Sequence, residues 1–213
     1  MQKDILCFGD SNTWGYIPGL AERYPREIRW TGRLQRMLGE EYYVIEDGQN
    51  SRTIVWDDPV TGYKNGLTYL IPCLEAHKPL DAVVIMLGTN DMQERFQLNG
   101  FNIARSMERM VDAVQFSRAG RGGQAPKLLL IAPPLIRDNL YETPLGENLG
   151  AGCIERSRET APHLKLLCEQ TGIWFLDAQT VAEASPEDAV HMDEQGHKAL
   201  AEAVRDMILK MEI

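Results

Sequence analysis

The chain has no CxxC pair and no HExxH run, so neither a zinc finger nor a helix-borne zinc protease site is written into it, and no metal or cofactor is expected. Long apolar runs are also missing. Met1 to Asp4 is polar and the next run, Ile5 to Phe8, is too short for a signal core or a membrane span. Basic excess is absent: 22 Lys and Arg stand against 31 Asp and Glu, a formal net charge of −9. Such a chain lacks the basic excess that would displace counterions from a phosphate backbone, so no nucleic-acid partner is expected. Cysteine is sparse. Cys7, Cys73, Cys153 and Cys168 are scattered, which reads as reduced, mostly buried thiols in a cytoplasmic protein. There is no internal repeat, low-complexity segment or linker, and residues 1–213 read as a single domain of soluble composition, 44% hydrophobic and 25% charged.

What is present alternates. Five short apolar runs read as strands: Ile5–Phe8, Tyr43–Glu46, Ala82–Leu87, Lys127–Ala132 and Ile173–Asp177. The third and fourth are apolar almost throughout, as in strands covered on both faces of a parallel sheet. Between them lie helical patterns over Trp30–Leu38, Gly66–His77, Ile103–Phe116, Cys153–Thr171 and Glu194–Met211, the second and fourth interrupted by Pro72 and Pro162. Strand–helix alternation predicts an α/β fold: a three-layer α/β/α sandwich around a five-stranded parallel sheet. The Gly- and Pro-rich stretches 57–66, 118–126 and 133–150 read as loops.

Ligands of such sheets bind beyond the carboxyl ends of the strands. Gly9-Asp10-Ser11-Asn12 follows the first strand, Asp47-Gly48-Gln49-Asn50-Ser51 the second, and Gly88-Thr89-Asn90-Asp91 the third; Asp188-Ala189-Val190-His191 precedes the last helix. Singly, Ser11 is a turn or cap residue, Gly48 a turn glycine, Asn90 a helix cap, and His191 a surface histidine like His77, His163 and His197. Together they supply a hydroxyl, an imidazole, a carboxylate three residues before it, an amide donor and a glycine N–H. That is the inventory for acyl transfer.

Those blocks, in that order, resemble the SGNH (GDSL-type) hydrolases from residue 5 to about residue 200. The longer strings ILCFGDSNTWGYIP, VIEDG, SRT, DDP and PLDAVVIMLGTND resemble the arylesterase/acyltransferase branch. The resemblance implies a flavodoxin-like SGNH hydrolase fold and a serine esterase acting on short-chain carboxylic esters. Ser11 is then the nucleophile, His191 the base, Asp188 its orienter, and Ser11 N–H, Gly48 N–H and the Asn90 amide the oxyanion hole. It also implies a homo-oligomer and acyl transfer to alcohols or peroxide. Asn12 replaces the family leucine, and Met92 to Phe96 and the 135–152 loop diverge from the branch. Asn12, Trp14, Met92 and Phe96 follow the blocks closely and are expected to wall the pocket; Trp56, Tyr63 and Tyr141 lie in loops at the same end. A histidine base must be neutral to take a proton, so activity is expected to rise with pH through its titration. Three other readings remain open: a carbohydrate-ester deacetylase or thioesterase with the same groups, a non-catalytic flavodoxin-like binding module, and a structural protein with a relict site.

Overall fold

Alternation of side chains along each strand sets the layers of the computed structural model, which describes residues 1–213. Strands β1 (Lys3–Gly9), β2 (Tyr42–Gly48), β3 (Ala82–Met86), β4 (Lys127–Ala132) and β5 (Trp174–Asp177) form one sheet in the order β2-β1-β3-β4-β5. All neighbours are parallel. The helices are α1 (Ser11–Trp14), α2 (Trp30–Leu38), α3 (Gly66–His77), α4 (Gly100–Phe116), α5 (Leu145–Leu149), α6 (Cys153–Thr171) and α7 (Glu194–Met211).

One face of the sheet presents Leu6, Phe8, Val83, Ile85, Leu128 and Leu130 to a core completed by Leu70 and Leu74 of α3, Ile103 and Met107 of α4, and Leu164 of α6. The opposite face presents Ile5, Cys7, Val84, Met86, Leu129 and Ile131 to Trp30 and Leu34 of α2 and to Leu200, Val204 and Ile208 of α7. Both faces are dry, so the central strands read as unbroken apolar runs, as expected. Each buried aliphatic side chain contributes about 1.5–3 kcal/mol, and these two layers hold the domain together. No helix is long and apolar enough to cross a membrane.

The expected sandwich is the one observed. The two prolines leave α3 and α6 continuous. Pro72 and Pro162 lie on exposed faces, as do Thr68 and Arg158, whose carbonyls lose their partners there and remain open to water. Two helices were not legible: α1 is a single turn, and α5 sits inside the stretch read as a loop over 133–150.

β1 is an interior strand and its neighbours β2 and β3 lie on opposite sides, so the sheet reverses its winding at the end of β1. That is the position where open α/β sheets bind ligands. Gly9 is level with Gly48 on one side and Met86 on the other. At Gly48 a Cβ would lie 2.1 Å from the Trp14 backbone nitrogen and 2.5 Å from its Cα. Glycine there lets α1 lie directly on the end of β2. Gly48→Ala is therefore expected to destabilise the protein by about 1–3 kcal/mol, because backbone must move; an unchanged midpoint in urea unfolding would show that α1 needs no such approach.

Candidate active site

β1 ends at Gly9, and the chain turns at once into α1 with Ser11 as its first residue. Asp10 makes that turn: its carboxylate accepts the Asn12 N–H at 3.0 Å, and its carbonyl accepts the N–H groups of Thr13 and Trp14. The Ser11 hydroxyl thus stands at the sheet's carboxyl edge. At the other end of the chain, Asp193 caps α7 by accepting the N–H groups of Gln195 and Gly196. This fixes where the loop carrying Asp188 and His191 must stop.

The loop meets Ser11. His191 Nε2 lies 2.9 Å from Ser11 Oγ, and His191 Nδ1 lies 2.6 Å from Asp188 Oδ2. The other Asp188 oxygen accepts the N–H groups of Val190 and His191 at 3.0 and 2.9 Å. Burial alone would raise the Asp188 carboxyl, but the His191 hydrogen bond, the imidazole's charge and the two N–H donors outweigh it and hold Asp188 below the usual carboxylate range. An ionised Asp188 needs a proton on Nδ1, which leaves the Nε2 lone pair facing the Ser11 hydroxyl. Tyr16 stacks on the imidazole at 4.2 Å between ring centres.

Asn90 opens a short 3-10 turn after β3. Its Nδ2 donates to the Arg52 carbonyl at 3.1 Å, and its Oδ1 accepts from Gln93 Nε2 at 3.2 Å. The amide is held flat between two partners, with one N–H left for a ligand. Gly48 is placed differently from the expectation. The Gln49 N–H donates to the Gly9 carbonyl, and successive strand N–H groups alternate in direction, so the Gly48 N–H faces off the open edge of β2. Ser51, in the turn that follows, is placed otherwise. It lines the same cavity as Ser11 and Asn90, adopts a left-handed φ of 64°, and its N–H makes no hydrogen bond within the protein.

Arg52 holds this arrangement, and nothing in the residue spacing distinguishes it beforehand. Its guanidinium, 2% exposed, donates to the Gly9 carbonyl at 2.8 Å, the Asp47 carbonyl at 2.7 Å and the Asp47 carboxylate at 2.8 Å. It lies 4.0 Å over the Phe8 ring.

Ser11, His191, Asn90 and Ser51 open into a cavity of about 140 Å³ whose apolar wall is Tyr16, Leu145, Leu149 and Val190, with the amides of Asn50 and Asn148 beside it. Of the four residues expected to wall the pocket, none lines it. A helix begins at Ser11, so Asn12, about 100° further round, points away from the hydroxyl's side. Asn12 turns to the His191 loop, and Trp14 lies beside Arg23, whose guanidinium is 5.2 Å from its ring. Met92 is buried beneath the site, its carbonyl accepting from Arg156 Nε at 2.6 Å, and Phe96 faces Arg95. Trp56, Tyr63 and Tyr141 are exposed to solvent. α5 supplies the wall instead. His197 is also not on the surface. It is fully buried, accepts the Trp30 N–H, and burial pushes its imidazole down to about 3.

Asp47, Cys73 and His77 bring one ligand atom each within 4.8 Å of one another. The Asp47 carboxylate is already taken by Arg52 and by the Cys73 thiol, which burial and Asp47 push up to about 12. The Asp47 carboxylate is thus satisfied within the protein, with an exposed histidine beside it. A larger groove of about 460 Å³ lies behind the 185–191 loop, where Arg137 and Arg158 are paired with Glu183 and Asp138 and no nucleophile faces it.

Behind Asn90, both oxygens of the fully buried Asp91 accept the Ile54 N–H at 3.0 and 3.1 Å. Burial pushes its carboxyl up to about 8, with the charge of Asp10 adding to the rise. A carboxyl raised on folding contributes stability that is full below its unfolded value of 3.8 and is lost as pH climbs to about 8. Asp91→Asn keeps an oxygen for Ile54 and cannot ionise. Its urea midpoint is expected to gain on that of the unaltered protein across that window and to level off above it; parallel curves would acquit Asp91.

The comparisons with known proteins agree with this geometry. Residues 7–199 match the model of the GDSL-like lipase/acylhydrolase family. The chain is 36% identical to the aryl esterase of M. smegmatis, with a TM-score of 0.91 over 98% of this chain and 99% of that one. It is also 36% identical to Est24, a carbohydrate acetylesterase from Sinorhizobium meliloti, with a TM-score of 0.92 over 99% and 100% of the two chains. An acetylxylan esterase of Xylanibacter ruminicola is 26% identical over 94% of this chain, which spans only 42% of that protein's length. The chain belongs to the GDSL-like lipase/acylhydrolase family.

Proposed function

We propose that the protein is a serine esterase that removes small acyl groups, acetate above all, from alcohols through an acyl-enzyme on Ser11. The observation that carries this reading is the Asp188–His191–Ser11 chain of contacts, 2.6 and 2.9 Å long, opening into a cavity of about 140 Å³. His191 Nε2 takes the Ser11 proton as Oγ bonds to the ester carbonyl. The electron pair displaced onto the carbonyl oxygen is met by the Asn90 amide and the N–H groups of Ser11 and Ser51. Collapse expels the alkoxide, which takes the proton from His191. Water, deprotonated by the same imidazole, then attacks the acyl carbon and frees Ser11 with the carboxylic acid. An alcohol or hydrogen peroxide in place of that water gives a new ester or a peracid by the same step.

One feature of the wall favours a carbohydrate alcohol. Asn50 and Asn148 place amides beside the apolar residues, and the Asn50 Oδ1 is buried without a partner. A polyol hydroxyl satisfies such an acceptor, whereas an aryl leaving group does not. The carbohydrate acetylesterase and acetylxylan esterase among its relatives support this reading.

A fluorophosphonate probe followed by intact mass and peptide mapping tests the reaction itself. One adduct on Ser11, absent in His191→Ala, is expected; a folded protein that takes no adduct would overturn the assignment. Asn90→Ala is expected to keep the fold and lower turnover by about 10²–10³-fold, the usual effect of removing one oxyanion donor. The small cavity makes acetate and butyrate esters far better substrates than laurate, and equal rates on the three would reject it.

A further inference from the structure

We infer that Asn12 is a positioning residue that holds the His191 imidazole on Ser11. The inference rests on the reading of Ser11 and His191 just given, and it concerns a residue at which this chain departs from the leucine of the GDSL motif. Asn12 directly follows Ser11, is 1% exposed and faces away from the cavity. Its Nδ2 donates to the Val190 carbonyl at 3.2 Å, and its Oδ1 accepts the Met192 N–H at 2.9 Å. Those are the residues on either side of His191. One amide therefore grips the backbone immediately before and after the histidine.

Three hydrogen bonds join the Ser11 segment to the His191 segment: the Ser11–His191 contact and the two made by Asn12. The contact between Ser11 and His191 must break and re-form as the proton moves, so it cannot also hold the two segments in register. The remaining bonds of the His191 loop are made elsewhere. Arg137 N–H donates to Ala189, Ser185 N–H to the His191 carbonyl, and Asn139 to Pro186. They fix the loop to itself and to the segment after β4, with no reference to Ser11. Ala189 sits at φ 66°, a conformation that alanine adopts only when its surroundings impose it. A planar amide with one donor and one acceptor satisfies both backbone groups at once. A leucine of similar size satisfies neither and leaves a buried C=O and N–H unpaired.

The test is Asn12→Leu in the full chain, with Asn12→Ala as a second variant that removes the amide without filling the site. For both, kcat and KM on p-nitrophenyl acetate are measured together with the far-downfield proton resonance of the His191–Asp188 bond and the folded fraction by circular dichroism. A displaced base is expected to lower kcat by about 10- to 100-fold with KM within about threefold, and to shift or broaden the histidine resonance while the protein stays folded. A kcat within about twofold of the unaltered protein in either folded variant overturns the inference. So does a fall in kcat that only follows the folded fraction, with the resonance in place. Ser11→Ala and His191→Ala run alongside: if they keep full turnover, the reading of the active site fails rather than the role of Asn12.

Discussion

The site depends on one buried cation. A guanidinium taken out of water is costly unless its donors are met, and Arg52 meets its own on the ends of two strands: the Gly9 carbonyl of β1 and the carbonyl and carboxylate of Asp47 in β2. Its own carbonyl receives the Asn90 amide that follows β3. Three consecutive strand ends are thus referred to a single planar group, and the serine, the Ser51 N–H and the asparagine amide take their places from it. The Phe8 ring beneath the guanidinium fixes its plane, so the same residue joins the apolar core to the polar edge.

The fourth segment arrives from far along the chain. His191 is 180 residues from Ser11 in sequence, and its loop is stabilised mainly by contacts of its own. The Asp188 carboxylate binds both the imidazole and the backbone N–H of the same histidine, so Asp188 and His191 form one local unit. Such a unit must be docked on the serine as a body. Asn12 and the Tyr16 ring are the contacts available for that docking, and both lie within five residues of Ser11. The short segment after β1 therefore carries Ser11 together with the groups that meet His191.

Much of this was legible beforehand, for reasons that differ by residue. Strands buried on both faces produce unbroken apolar runs, so β3 and β4 were readable. Asp188 and His191 were readable because they stand three positions apart and the carboxylate has only one imidazole to serve. α1 was not, since a single turn has no periodicity to detect. Gly48 illustrates the limit best: it was assigned a donor's role, but glycine occupies that position because the backbone of Trp14 lies against it. The pocket walls were misread for a related reason. Nearness in sequence to Ser11 put Asn12 and Trp14 at the site, while the helical turn carries Asn12 to the His191 loop and Trp14 lies against Arg23.

The sequence by itself determined the α/β sandwich, the order of its blocks and the candidate acid, base, nucleophile and amide, because each is expressed in local pattern and residue type. Tertiary structure alone decided which residues line the cavity and how Arg52 and Asn12 are bonded around it. Those outcomes depend on how strand ends align across the sheet and on which side of a single helical turn a residue falls. Neither quantity is carried by any short stretch of the chain.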